Sequence, residues 1–332
     1  HGFNNLSTYG NLLRLFNEGR IPQNEWAKEF CVLALKLSAS VQAQRWTPIP
    51  EGGFIYSFNG PHSLFVDTIR TLRILVAGHL LGHHSSGEND TRVSLLKRAY
   101  QHALATAKYS VYYGEGRDYY DVRGRTAHEA IFNVNDGNFR SPSTQQGYSG
   151  FTTWTRGLSW AMLGFAEQLE FLQSENELPE LEELGGKDAL EEIFLKAARA
   201  TCDFYLENSA LDGIPYWDTG APGLFHLPNW REKISNPYNN WEPIDSSAAA
   251  IGAQGLLRLG NYLKKKKAAD ADKYWSAGLT VTDTLFDEPY LSLNPNHQGL
   301  ILHAIYHRPN GWDPVSYTHL TLPTKVLVCR SG

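Results

Sequence analysis

Helical periodicity runs through most of this 332-residue chain and constrains its fold more than any other feature. Apolar residues recur three and four positions apart, which is the spacing that places them on one face of an α-helix. Strand-like stretches are few and short. The chain is therefore predicted to be all-α, with amphipathic helices at 4–18, 24–45, 64–82, 89–112, 152–172, 187–208, 245–264 and 268–286.

The predicted helices are of two kinds that alternate along the chain. One kind is rich in Gly, Ala, Ser and apolar residues on most faces, and a helix that is apolar all round is buried. The other carries a charged stripe that faces water. Because the long loops lead into the first kind, the pattern favours an (α/α) barrel of inner and outer helices over an α-solenoid or an irregular bundle. The inner kind comprises 64–82, 152–172 and 245–264, and the outer kind 24–45, 89–112 and 187–208.

Two connections are predicted to contain strands. One candidate is 53–58, and the other is 130–135, where the Asp136-Gly137 pair indicates a short hairpin. The last stretch, 315–332, reads VSYTHLTLPTKVLVCRSG and differs in character from everything before it. We expect 315–332 to be a non-native tail and 1–314 to form one barrel domain.

Composition narrows the classes of function. The net charge is −5 and no basic block is long, so no nucleic-acid partner is expected. No apolar stretch reaches the length of a membrane span. Cys31, Cys202 and Cys329 form no spaced cluster and are expected to be free thiols. The pair His79 and His83 lacks an acidic third ligand, and neither a P-loop nor a dinucleotide fingerprint is present, so neither metal nor cofactor is predicted.

Asp67 is the first candidate for chemistry. It lies between Val66 and Ile69 in a run that is otherwise apolar except for Thr68. Apolar surroundings disfavour the charged form of a carboxyl group and so raise its pKa, which is what a general acid requires. Asp245 resembles it but precedes Ser246 at a clean helix start, so we interpret it as a capping residue.

The segment QQGYSGFTTWTRGLSW, 145–160, is the richest in candidate binding groups. Arg156 and Trp160 are four residues apart and share a helix face, and Trp154 lies close by. An arginine beside tryptophans can hold a carboxylate while a ring covers a sugar. The alternative is that Arg156 bridges neighbouring helices and that the tryptophans belong to the core.

At these residues the chain resembles the unsaturated glucuronyl hydrolases, glycoside hydrolase family 88. Three stretches match the family pattern in the right order: FVDTIRTLRILVAGHLLG, QQGYSGFTTWTRGLSWAMLGFA, and YWDTGAPG followed by EPIDSSAAAIGAQGLL. The resemblance implies an (α/α)6 barrel and makes Asp67 the general acid/base. It also implies that the site for a terminal unsaturated uronic acid is lined by Phe58, His128, Gln146, Arg156 and Trp160.

The chain departs from the family pattern at several places. Gln145 stands where His is common, Leu158 replaces a Gln, and Phe58 stands where the family often has Trp. The opening HGFNNL matches only the last part of a family element that supplies a second aspartate, and NGWDPV precedes the family's last inner helix. We therefore expect a barrel that is incomplete at both ends and inactive as it stands.

The resemblance implies a hydrolase that takes a small acidic oligosaccharide and hydrates the C4=C5 bond of its terminal unsaturated uronic acid, without metal or organic cofactor. One carboxyl group acts first as acid and then as base in that reaction. Two alternatives stay open at this stage. The first is a sugar-binding (α/α) barrel without catalysis, and the second is another sugar enzyme of this fold, such as an epimerase or an ordinary glycosidase.

Overall fold

A computed structural model describes residues 2–175, 177–296 and 299–312 of the chain. Helices dominate the described residues, as predicted. The first three turns, α1 (Gly2–Asn5), the π-helical Leu6–Gly10 and α2 (Asn11–Asn17), follow one another directly. The longer helices are α3 (Glu25–Gln44), α4 (Leu72–Leu80), α5 (Leu95–Tyr109), α6 (Thr155–Ser174), α7 (Gly186–Glu207), α8 (Ser246–Lys265) and α9 (Ala271–Leu285).

Inner and outer helices alternate in space as they do in the sequence. Every residue of α6 from Thr155 to Leu169 is buried, and so is every residue of α8 from Ser246 to Leu256. The helix α6 packs against α7 and α8, α8 packs against α9, and α4 packs between α3 and α5. The assignment of inner and outer helices from their residue composition is therefore confirmed.

The described strands are short and lie in the connections. β1 (Trp46–Ile49) pairs with β2 (Gly52–Ile55), and β4 (Ser85–Ser86) pairs with β5 (Arg92–Val93). A third sheet has the order β3 (Ser63–Phe65), β6 (Glu129–Phe132) and β7 (Phe139–Ser143), with all pairs antiparallel. The predicted hairpin at 130–135 is thus present as β6 and β7, and Gly137 adopts φ +69° in its turn.

Two predicted helices begin later than the sequence indicated. Residues 63–65 form β3 and Val66–Thr71 form a 3₁₀ helix before α4 starts at Leu72. Periodicity could not detect this, because the backbone of 63–65 pairs with β6, more than sixty residues away. The predicted helix 89–112 starts only at Leu95, where Ser94 caps it by accepting from the Lys97 N–H.

One hydrophobic cluster extends from Leu35 to Ile301 and joins the inner helices to their outer partners. The division into a domain at 1–314 and a tail at 315–332 stays a prediction, because that tail lies outside the described residues. Among the residues described, no helix combines the length and the apolar character needed to cross a bilayer.

Candidate active site

Asp67 lies where a strand passes into a 3₁₀ helix. β3 ends at Phe65, and the next segment, Val66–Thr71, packs against α6. The residue is 6% exposed. Its Oδ2 lies 3.2 Å from the Arg70 guanidinium, and its Oδ1 lies 3.7 Å from Nε2 of His128. Oδ1 and Nε2 are both buried and neither has a hydrogen-bond partner among the described residues.

The pKa of Asp67 is lowered from 3.8 to about 2. Burial acts to raise it, but the positive charge of Arg70 and the nearby ring of His128 outweigh burial. The prediction that apolar neighbours raise this pKa is therefore wrong. The neighbours of Asp67 in sequence are apolar, whereas its neighbours in space include a guanidinium, so the carboxyl group is ionised at neutral pH.

His128 is held by the loop that follows β7. Its Nδ1 accepts from the backbone N–H of Gln145 at 3.1 Å and of Gln146 at 3.3 Å, and the Thr144 hydroxyl lies 3.2 Å away. A ring nitrogen that accepts hydrogen bonds carries no proton, so the pattern assigns the proton of the neutral ring to Nε2. That proton is directed towards Asp67, although 3.7 Å is too long for a hydrogen bond.

The same loop is anchored to a second buried aspartate. Tyr148 donates its backbone N–H to Oδ2 of Asp218 at 2.9 Å. Gly147 permits this approach, because a Cβ there would lie 2.7 Å from Oγ1 of Thr144 and 3.0 Å from Oδ2 of Asp218. The loop that positions His128 is thus itself held in place by Asp218.

The guanidinium of Arg156, near the start of α6, donates hydrogen bonds to acceptors within the protein. Nη1 donates to Oδ2 of Asp245 at 2.9 Å and to the Ile305 carbonyl. Nη2 donates to Oε1 of Gln146 at 2.9 Å and to the Tyr306 carbonyl at 2.6 Å. Asp245 also caps α8, as predicted. The structure favours the alternative in which Arg156 bridges neighbouring helices, because these contacts leave few donors for a ligand carboxylate.

Trp160 lies one turn further along α6 and is 2% exposed. Its ring packs edge-on against Phe3 at a centroid distance of 5.0 Å, and Cζ of Arg70 lies 5.0 Å from its centroid. The ring covers no sugar in this packing, so the binding role predicted from the shared face with Arg156 stays a prediction. In the observed packing Trp160 supports Arg70 instead.

Phe58 is the exposed end of a row of rings. Its side chain is 67% exposed and its ring lies 6.4 Å from Phe65. Phe65 lies 4.8 Å from the His128 ring, which in turn lies 4.5 Å from Trp154. The row therefore leads from the surface to the buried surroundings of Asp67, and it links Phe58 to the predicted site residues.

Three polar residues of this region were missed from the sequence. Arg70 could have been found, because a residue three positions after Asp67 is its neighbour on a helix. Asp218 ends the YWD motif, and burial raises its pKa to about 6, with the nearby Glu242 adding to the effect. Glu129 follows His128 and accepts hydrogen bonds from Ser63 at 2.5 Å, from Asn59, and from Gln145 at 3.2 Å.

The remaining titratable candidates have structural partners. His79 pairs with Glu180 at 3.3 Å, and His83 lies 2.7 Å from the Ser40 hydroxyl. Within the described part of the chain, no three His, Cys, Asp or Glu side chains are grouped as metal ligands. Cys31 and Cys202 are buried free thiols as predicted, while Cys329 lies outside the described residues.

Comparison with curated proteins gives two relatives called unsaturated glucuronyl hydrolase. The chain is 26% identical to that of Bacillus sp. (strain GL1) over 304 residues, which is 89% of this chain and 67% of the relative. It is 28% identical to that of Formosa agariphila over 195 residues, which is 58% of this chain. The chain spans only 37% of the length of the Formosa protein. No family model matches the chain.

Solved structures show the same fold. The crystal structure of an unsaturated glucuronyl hydrolase from Bacillus sp. GL1 matches with a TM-score of 0.60 at 24% identity, over 86% of this chain and 64% of that chain. A mutant from Streptococcus agalactiae complexed with dGlcA-GalNAc6S matches with a TM-score of 0.53 at 17% identity, over 92% and 68%. In its motifs, its curated relatives and its (α/α)6 barrel fold, the chain is similar to the unsaturated glucuronyl hydrolases, which confirms the resemblance found in the sequence.

Proposed function

We propose that this protein releases a terminal 4,5-unsaturated uronic acid from an oligosaccharide by hydrating the C4=C5 double bond. One observation carries the proposal: the carboxyl group of Asp67 is buried, and its Oδ1 faces Nε2 of His128 with no hydrogen bond to the described residues. Buried acid–base groups of this kind are characteristic of catalytic sites. The relatives support the reaction type, and the oligosaccharide of the Streptococcus complex supports the ligand class.

The proposed chemistry uses one carboxyl group twice. The C4=C5 bond is a vinyl ether whose electrons are activated by the ring oxygen. Asp67 in its protonated form gives its proton to C4, which leaves positive charge shared by C5 and the ring oxygen. The carboxylate then accepts a proton from the water that attacks C5. The hemiketal formed in this way opens and expels the remaining sugar.

The other predicted site residues have separate roles in this proposal. His128 keeps Asp67 in position and directs its Nε2 proton towards the carboxylate, because the backbone of Gln145 and Gln146 occupies its Nδ1. Gln146 links this loop to Arg156, and Arg156 joins the starts of α6 and α8. Phe58 offers an exposed ring for the apolar face of a sugar.

The test is an absorbance assay on a disaccharide that ends in a 4,5-unsaturated uronic acid. It is run on the full-length gene product that contains these residues and on the 332-residue chain itself. We expect the absorbance of the C4=C5 bond to disappear with the full-length protein, while a disaccharide ending in saturated glucuronic acid stays intact. A full-length protein that binds the sugar and leaves the double bond in place would support the sugar-binding alternative. Cleavage of the saturated disaccharide would support an ordinary glycosidase.

A further inference from the structure

The cation closest to Asp67 is Arg70, which no sequence motif assigned to the site. Its guanidinium lies 3.2 Å from Oδ2 of Asp67, and its side chain is 23% exposed, compared with 8% for that of Asp67. Within the described residues, Asp67 is the one carboxylate within ion-pair distance of Arg70. Arg156, in contrast, already serves Asp245, Gln146 and two backbone carbonyls. A substrate carboxylate that approaches Asp67 therefore meets Arg70 as the more available cation.

Two aromatic rings hold Arg70 in place. Its Cζ lies 5.0 Å from the centroid of Trp160 and 5.5 Å from that of Phe3. Ring contacts of this kind stabilise a cation without supplying a negative charge of their own. A guanidinium has five N–H donors in a fixed fork, so one arginine can bind a second carboxylate beside the first. The surroundings of Arg70 are thus suited to binding the carboxylate of a ligand.

The charges around Asp67 are few and can be named for each packed element. Arg70 lies on the same segment as Asp67, and His128 is the residue that precedes β6. The helix α6 supplies the uncharged Trp160, and Arg156, which is paired with Asp245. Arg73, one turn beyond Arg70, is paired with Glu167 of α6 at 3.1 Å. The helix α1 supplies the uncharged Phe3. One cation therefore balances the charge of Asp67.

A second carboxylate bound to Arg70 changes the balance of charge around Asp67. Two carboxylates that share one site cannot both remain ionised at low cost, so one of them takes a proton. The Arg70 side chain is 23% exposed, so a carboxylate bound to it would keep some contact with water. Asp67 is buried, and burial favours the neutral form of its carboxyl group. The proton that the proposed reaction requires would then be taken up only when an acidic sugar is bound.

We propose that Arg70 receives the carboxylate of the acidic sugar, and that sharing this cation makes Asp67 take up one proton from solvent upon binding. The inference rests on the proposed function and adds how the acid is generated. It makes Arg70 the residue that selects acidic over neutral terminal sugars. It also explains how a carboxylate that is ionised in the free protein can begin the reaction as an acid.

The test is calorimetry of sugar binding in two buffers with different heats of ionisation, at a pH near neutrality. The probes are a disaccharide ending in saturated glucuronic acid, which the hydration reaction does not consume, and the matched neutral disaccharide ending in glucose. With the wild-type protein we expect one proton to be taken up per glucuronyl disaccharide bound, and none with the neutral one. Asp67→Asn should abolish the uptake.

Variants of the two neighbouring arginines separate charge from folding. Arg70→Gln should weaken binding of the glucuronyl disaccharide at least about tenfold, the loss expected for one ion pair, and leave the neutral disaccharide unaffected. Arg70→Lys should retain part of the preference, and Arg73→Gln should retain all of it. Absence of proton uptake in the wild type, or binding of the acidic sugar no tighter than the neutral one, overturns the inference.

The proposed function fails in a different way. It fails if the full-length protein leaves the unsaturated bond intact. The inference fails alone if that bond is hydrated while Arg70→Gln turns over at the wild-type rate, or while no proton is taken up on binding.

Discussion

Asp67 and Asp218 are buried aspartates on either side of the loop 144–148, and their pKa values move in opposite directions. The pKa of Asp67 is lowered to about 2, because the effects of Arg70 and His128 outweigh the effect of burial. The pKa of Asp218 is raised to about 6, because its burial is opposed only by neutral hydrogen-bond donors, among them the N–H groups of Tyr148 and Gly220, and Glu242 adds a negative charge nearby. Burial alone therefore does not fix the sign of a shift; the nearest full charge does.

The two aspartates also differ in hydrogen bonding, which assigns a structural role to Asp218 and a chemical role to Asp67. Both oxygens of Asp218 accept hydrogen bonds from backbone N–H groups, so its carboxyl group is committed to holding the loop. Oδ1 of Asp67 accepts none among the described residues. A carboxyl group whose oxygen is unbonded and whose charge depends on one arginine can change its proton state, which is the property that an acid–base catalyst needs.

The largest effect is expected on turnover. Asp67→Asn removes the group that transfers the proton, so hydration of the unsaturated disaccharide should slow by about 10²–10⁴-fold or more. Asp218→Asn keeps an acceptor oxygen at the loop and should retain most of the activity. The measurement is the initial rate of absorbance loss with the full-length protein. Comparable losses in the two variants would remove the functional distinction between the two aspartates.

A smaller effect is expected on stability when the cation is removed. The lowered pKa of Asp67 contributes roughly 2 kcal/mol, which is present above about pH 4 and lost as pH falls through about 2. Arg70→Gln leaves burial unopposed by this charge, so the pKa of Asp67 rises. The variant should be less stable than wild type by roughly 2 kcal/mol at pH 7 and by much less near pH 2, as measured by urea unfolding.

The matched control for that experiment is Arg140→Gln. Arg140 pairs with Asp136 at 3.0 Å, but both side chains are largely exposed, so its loss should cost less than about 1 kcal/mol at either pH. If Arg70→Gln behaves like Arg140→Gln, then Arg70 does not determine the charge of Asp67.

The contribution of Asp218 to stability is expected to depend on pH in the opposite direction. Because its pKa is higher in the folded than in the unfolded protein, its contribution to stability is fully present below about pH 4 and is lost as pH rises through about 6. Asp218→Asn removes this dependence. Relative to wild type, the variant should therefore gain roughly 2–3 kcal/mol of stability between pH 4 and pH 7, as measured by urea unfolding at both values. A constant difference between the two proteins would contradict the raised pKa.

The sequence predicted the frame of this molecule better than the surroundings of its candidate catalytic group. The buried position of α6 and α8 follows from their local composition, so it could be predicted without tertiary information. The position of His128 beside Asp67 depends on pairing of β3 with β6, and two hydrogen bonds of Arg156 go to the backbone carbonyls of Ile305 and Tyr306. Backbone acceptors almost 150 residues away leave no pattern in a single sequence.

The ionisation of Asp67 is measured most directly by ¹³C NMR of the side-chain carboxyl carbons across a pH titration, with Asp67→Asn used to assign the signal. The account predicts that the Asp67 signal stays in its ionised position from neutral pH down to about pH 4 and has its midpoint near 2, while that of Asp218 has its midpoint near 6. A midpoint for Asp67 above the ordinary value of 3.8 would contradict the control of this carboxylate by Arg70.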